Sequence, residues 1–105
     1  MSRRRVIDTT GLDRYYTKPE VAKAILDTLP IQPSDRVMDP SYGAGAWLRY
    51  LATKFPDIRL TGVDLDPSAD WQPRPGLDER FPGQDFLTLD PSQVRQQDWI
   101  VGNPP

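Results

Sequence analysis

Apolar positions along the chain switch between two periods, and each switch marks an element. Val21, Ala22, Ile25 and Leu29 fall at the spacing of one helical face. The stretch opens on Thr17-Lys18-Pro19-Glu20, where a Thr three residues before a Glu is a capping box and Pro19 stands where its missing N–H costs nothing. The spacing predicts a helix that ends near Leu29, because Pro30 cannot continue it. Arg36-Val37-Met38-Asp39 reads as a short strand, cut off by Pro40, Gly43 and Gly45. A second helix is predicted from Ala46 to Lys54, with Trp47, Leu48 and Leu51 on its apolar side and Pro56 as its stop. Arg59 to Asp64 reads as a second strand that again ends in an acid. Between Ser68 and Gly76, Pro73, Pro75 and Gly76 leave room for no more than a turn of helix, followed by a weak strand around Arg80-Phe81. Asp98-Trp99-Ile100-Val101 is the last strand candidate, ahead of Gly102-Asn103-Pro104-Pro105.

Strands alternating with helices predict an α/β fold whose parallel sheet binds ligands outside the carboxyl ends of its strands. Asp39, Asp64, Asp85 and Asn103 each follow an apolar, strand-like run, so all four are expected on one rim. The 105 residues carry 13 Lys+Arg against 15 Asp+Glu, a net charge of −2, which suits one small soluble domain. With no cysteine and no histidine, the chain has no thiol nucleophile, no zinc site of the usual ligand types, no Ser-His triad and no disulfide. No metal is expected. No apolar run approaches the roughly 20 residues that span a bilayer, and Met1-Ser2-Arg3-Arg4-Arg5 lacks the apolar stretch of a secretory signal, so the expected compartment is the cytoplasm. The 12 prolines are dispersed at element ends, as punctuation and not as a disordered tract. Residues 1–13 read as a basic arm, a solvated terminus first and a phosphate contact second.

Three groups of residues carry candidate chemistry. Gly43-Ala44-Gly45, between a strand and a helix, lets backbone approach a ligand and presents the free N–H groups of a helix start. The third glycine of the dinucleotide fingerprint would fall at Leu48, no Gly-Lys-Ser/Thr follows, and a plain turn accounts for the two glycines equally well. Asp64 closes the next strand, near where an acid about 20 residues beyond such a loop hydrogen-bonds ribose hydroxyls. Its two oxygens suit a cis-diol. Asp66, before Pro67, reads as a turn cap. Asn103-Pro104-Pro105 offers carbonyls with no competing N–H on its prolines and an amide on Asn103, a set able to grip an amino group, although a plain turn also explains it.

Taken in order, Thr17-Lys-Pro-Glu20, Asp39-Pro-Ser-Tyr-Gly-Ala-Gly45, Gly62-Val-Asp-Leu-Asp-Pro67, Asp85-Phe86 and Asn103-Pro-Pro105 resemble the S-adenosylmethionine-dependent N6-adenine DNA methyltransferases, in the motif order with the cofactor motif first. The resemblance covers roughly residues 14 to 105. It implies a Rossmann-like methyltransferase fold, truncated after about the fourth strand, with residues 14–105 as the cofactor-binding part of the catalytic domain. It implies S-adenosylmethionine as cofactor, contacted at its methionine end by Thr17 and along its methionine and sugar portion by Asp39, Pro40, Gly43 and Gly45. Asp64 would bind the ribose hydroxyls, Leu65 would pack on the adenine ring, and Asp85 with Phe86 would meet the adenine amino group. Asn103 and the Pro104 carbonyl, in the catalytic segment closed by Pro105, would hold the amino group of a target adenine flipped out of duplex DNA.

The sequence departs from the family where it ends: the aromatic that follows Asn-Pro-Pro, the later strands and the target-recognition domain are all missing after Pro105. The chain therefore reads as the N-terminal part of an enzyme of DNA methylation, of the kind found in restriction-modification systems, without activity by itself. An uncovered apolar face is expected near Trp99 and Ile100. Asn-Pro-Pro also resembles enzymes that methylate a protein glutamine or an RNA guanine. Two further alternatives are a non-catalytic cofactor-binding module and a nicotinamide dehydrogenase, the latter opposed by Leu48.

Overall fold

The computed structural model describes residues 17–102, so the basic arm over 1–13 lies outside the described residues. The elements are helix α1 (Pro19–Leu26), strand β1 (Arg36–Asp39), helix α2 (Ala46–Lys54), strand β2 (Arg59–Asp64), strand β3 (Glu79–Pro82), two 3₁₀ turns (Phe86–Thr88 and Pro91–Gln93) and strand β4 (Trp99–Ile100). The four strands form one sheet in the order β3-β2-β1-β4, and every pair is parallel. This is the parallel sheet with flanking helices of a Rossmann-like methyltransferase fold.

Parallel register places Val37, Leu60 and Trp99 side by side on one face. On that face Leu26 of α1 and Leu48 and Leu51 of α2 pack with Val37, Ile58 and Leu60 into the core. The buried stripe of α1 is Ala22 and Leu26, while Val21 and Ile25 are 44% and 43% exposed. The sequence reading of that face is corrected on two points: only Ala22 of the expected set is buried, and the helix stops at Leu26, three residues short of Leu29. Nor does the capping box form. The helix is capped at Lys18 with no side-chain hydrogen bond, and the Thr17 hydroxyl instead accepts the Trp47 indole N–H at 3.2 Å. Tertiary packing of Trp47 thus takes the group that local sequence assigned to the helix start. Asp27, just past α1, receives Lys23 and Lys54 at 2.9 Å and the Tyr50 hydroxyl, which ties the two helices together.

The β2–β3 connection holds no helix, as its prolines and Gly76 require, and is anchored by side chains instead. Trp71 is buried against the glycine loop, and the Asp78 carboxylate receives the Arg74 side chain at 2.7 Å and the backbone N–H groups of Leu60 and Arg74. Arg74 also donates to the carbonyls of Pro56 and Ile58. On the other face of the sheet, Gln97 reaches Thr61 at 3.3 Å. Trp99 is not on an uncovered face: it packs against the core and its indole N–H donates to Asp35 at 2.9 Å, whereas Ile100 is exposed. Among the described residues, no helix is long and apolar enough to cross a membrane.

Candidate cofactor site

Because all four strands run the same way, their carboxyl ends open on one rim, and the loop after β1 fills its centre. Two residues of that loop fix its path. Gly45 caps α2 in the left-handed region at φ 84°, and a Cβ there would come within 2.8 Å of the Trp71 ring, so both conformation and space demand glycine. Tyr42 donates its backbone N–H to the Val63 carbonyl at 3.2 Å and accepts from Gly45 at 2.6 Å, which pulls the loop against the end of β2. Its ring packs on Trp71 with centroids 5.5 Å apart.

Asp64 joins loop to strand. Its Oδ2 accepts the Gly43 N–H at 2.7 Å and its Oδ1 accepts the Asp66 N–H at 2.8 Å. A carboxylate has about four acceptor positions, so a second lone pair on each oxygen stays available after both bonds are made. Asp64 is largely buried but reaches the surface at 9% exposure, and Leu65 beside it is 60% exposed. An acceptor pair next to an apolar surface is what a ribose diol and its purine need. The Gln84 N–H donates to the Asp64 carbonyl at 3.0 Å, which draws the segment after β3 toward the same rim. There Asp85 spends Oδ1 on the Leu87 N–H at 2.9 Å and opens the 3₁₀ turn that begins at Phe86. Asp66 accepts both the N–H and the hydroxyl of Ser68 through Oδ1, as a turn cap does.

Asp39 lies deeper. It is fully buried, its Oδ1 accepts the Ser41 N–H at 2.9 Å, and its Oδ2 has no partner. Burial pushes its carboxyl up to about 7, the nearby Asp64 charge adds to the rise, and the Ser41 N–H opposes it. The Tyr42 hydroxyl is likewise buried without a partner, and burial raises it too. The spare acceptor positions on Asp64 beside the exposed Leu65 fit the ribose and purine of S-adenosylmethionine, while the two orphaned polar atoms lie buried next to them in the sequence of the glycine loop. Among the described residues, no cluster of three or more acids is placed to hold a metal ion.

The structure brings Asp39, Pro40, Gly43, Gly45, Asp64 and Leu65 together at the ends of β1 and β2, and the Gln84 bond brings Asp85 and Phe86 alongside. Thr17 stands by Trp47 at the start of α2. Asn103, Pro104 and Pro105 lie outside the described residues. Sequence reasoning missed Tyr42, Trp71 and the Arg74–Asp78 pair. A tryptophan within a proline-rich, otherwise polar coil was the available sign of an anchor, since large aromatics in such stretches have to bury themselves somewhere.

No protein-family model matches the chain. It is 32% identical over 99 residues to ribosomal RNA small subunit methyltransferase A of Flavobacterium johnsoniae, covering 90% of this chain and 38% of that protein. It is 24% identical over 91 residues to the type II methyltransferase M.CvrRI of Paramecium bursaria Chlorella virus XZ-6E, covering 87% and 24%. It is also 37% identical over 51 residues to ribosomal RNA small subunit methyltransferase H of Crocosphaera subtropica, covering 49% and 16%. The chain thus spans between 16% and 38% of the length of these relatives. All three are methyltransferases by name, and the similarity implies S-adenosylmethionine as the cofactor.

Proposed function

We propose that this chain is the cofactor-binding part of a methyltransferase that acts on the N6 amino group of adenine in DNA. The observation that carries the cofactor half is Asp64, which clamps the glycine loop through Gly43 and keeps acceptor capacity on both oxygens beside the exposed Leu65. Asp64 would hold the ribose hydroxyls and Leu65 one face of the purine. Gly43, Gly45 and Pro40 would line the methionine and sugar portion above the buried Asp39, with Thr17 toward the methionine end. Asp85 and Phe86, drawn in by the Gln84 bond, would meet the adenine amino group of the cofactor.

S-adenosylmethionine supplies an electrophilic methyl group on a sulfonium. What the chain supplies is position: holding the donor along the rim in line with a nucleophile removes much of the orientational cost of transfer. An adenine amino nitrogen is a weak nucleophile because its lone pair is delocalised into the ring. Asn103 and the Pro104 carbonyl would accept hydrogen bonds from its two N–H groups and favour a nitrogen whose lone pair is localised toward the methyl group; as the N–C bond forms the S–C bond breaks, S-adenosylhomocysteine leaves, and the nitrogen then loses one proton to solvent. These 105 residues hold no His or Cys, so they supply neither a thiolate nor an imidazole to the transfer. Reaching an adenine in duplex DNA requires flipping the base out.

DNA is supported by the motif order and by the similarity to M.CvrRI over 87% of this chain. The ribosomal RNA relative matched over 90% of the chain favours a second reading, in which the amino group belongs to an RNA base. Transfer of labelled methyl from S-adenosylmethionine, offered duplex DNA and ribosomal RNA in parallel to the protein that carries this chain, separates them. Label recovered as N6-methyladenine in DNA is the expected result; label in RNA alone overturns the DNA reading and leaves the cofactor site standing.

A further inference from the structure

We propose that Trp71 is a positioning residue for the methionine half of the cofactor, its indole setting the distance between the glycine loop and the end of β2. The residue is 3% exposed, so it acts on a ligand only through the backbone it supports. One indole meets two glycines at once. A Cβ on Gly45 would stand 2.8 Å from Cδ1 and 3.0 Å from Cγ, on the five-membered ring, and a Cβ on Gly62 would stand 2.9 Å from Cζ3 and 3.1 Å from Cε3, on the six-membered ring. Gly45, at φ 84°, also needs glycine for its conformation. Gly62 lies within β2 on ordinary strand backbone, so there the demand comes from space alone, taken up by Trp71 and the Tyr42 ring.

On both sides the ring bears on main chain, which leaves no flexible side chain to absorb a displacement. A shift of the indole therefore moves the loop. Tyr42 closes the linkage: its ring packs on Trp71 with centroids 5.5 Å apart, and its backbone is bonded to Val63 of β2 and to Gly45. A wedge of this kind needs backing, and packing does not supply it on the outer side, where a groove of about 310 Å³ lined by Arg49, Ala52, Thr53 and Gln72 opens beside the indole. Arginines supply it instead. Arg49 of α2 donates to the Asp70 carbonyl at 2.9 Å, and Arg80 of β3 donates to the Trp71 carbonyl at 3.2 Å. The carbonyls on either side of the Trp71 Cα are thus gripped from two different elements, and a coil without helix is held firmly enough to press on the loop.

The inference deepens the proposed reading and rests on it: the loop lines the methionine and sugar portion of S-adenosylmethionine, whereas Asp64 and Leu65, after β2, take the ribose and purine. Adenosine carries only those last two groups. The test is calorimetric titration of the protein that carries this chain with S-adenosylhomocysteine and with adenosine, in wild type, Trp71→Phe and Gly62→Ala. A phenyl ring fills the Gly45 side and stops short of Gly62, and the added methyl of Gly62→Ala displaces the indole from the sheet side. In each variant the affinity for S-adenosylhomocysteine should weaken by about tenfold or more while that for adenosine changes by less than about threefold. Equal losses for the two ligands, or unchanged S-adenosylhomocysteine affinity in Trp71→Phe, overturn the inference. If neither variant folds, fluorine resonances of 5-fluorotryptophan-labelled wild type decide: an indole that responds to S-adenosylhomocysteine and not to adenosine is expected, and indoles that respond alike to both overturn it. Wild type that binds S-adenosylhomocysteine with no loss in Trp71→Phe removes this inference alone, whereas wild type that binds no S-adenosylhomocysteine removes the cofactor reading and this inference with it.

Discussion

Asp64→Asn is the substitution that most directly separates a ribose ligand from a loop clamp. The carboxylate accepts Gly43 at 2.7 Å with one oxygen and Asp66 at 2.8 Å with the other. An amide has one oxygen and one NH₂ group, so in either orientation it faces one of these backbone donors with another donor. A buried donor left unsatisfied costs about 1–3 kcal/mol. At about 4–8 °C of melting temperature per kcal/mol for a domain near this size, the midpoint should fall by roughly 5–20 °C. A fold with a stability of about 5–15 kcal/mol survives that. Ligand binding loses more, because the same exchange removes the charge and one acceptor from the diol. A hydrogen bond to a charged group contributes about 1.5–3 kcal/mol, and at 1.4 kcal/mol per decade the affinity for S-adenosylhomocysteine should weaken about 10- to 100-fold. Calorimetric titration of wild type and variant, each checked by thermal melting without ligand, measures both quantities. A variant that melts lower yet binds within threefold of wild type would refute the ribose assignment and leave Asp64 a structural clamp.

Leu65→Ala removes a side chain that is already 60% exposed, so melting should change by no more than a few degrees while S-adenosylhomocysteine affinity falls several-fold; calorimetry showing unchanged affinity would take the purine off this surface. Asp78→Ala strips the acceptors from the Arg74 guanidinium and from two backbone N–H groups, and with Arg74 partly solvated the cost should be about 2–4 kcal/mol. A drop in melting temperature below 4 °C would contradict that account. For pH, the Asp39 carboxyl sits near 7 in the folded chain against 3.8 as its ordinary value, so between these values the folded state binds more protons than the unfolded one. The contribution is fully present below about pH 4 and is lost as pH rises through 7. Melting scans from pH 5 to 8 should show a decline that Asp39→Asn abolishes, and an equal decline in both would place its origin elsewhere.

Local pattern in the sequence determined β1, α2 and β2 with their observed bounds, because each is a short apolar run closed by a proline or glycine that acts on its own backbone. It also determined that the strands run parallel, since each is joined to the next by a crossover and not by a hairpin turn. The positions of Asp39 and Asp64 were legible for the same reason: a residue that ends a parallel strand must lie at the carboxyl edge of the sheet. Tertiary structure decided the rest. The capping box was locally sound, yet Thr17 spends its hydroxyl on Trp47, thirty residues away. The buried stripe of α1 turned to Ala22 and Leu26 because α2 and the sheet approach from that side, a direction that no single helix encodes. Trp71 and the Arg74–Asp78 pair hold a coil without any period, so no pattern announced them. The approach of Gly102 to Asp39 depends on β4 pairing with β1 across more than sixty residues of chain. Periodicity records what a segment does to itself; which side chains meet depends on how the sheet brings distant segments into register.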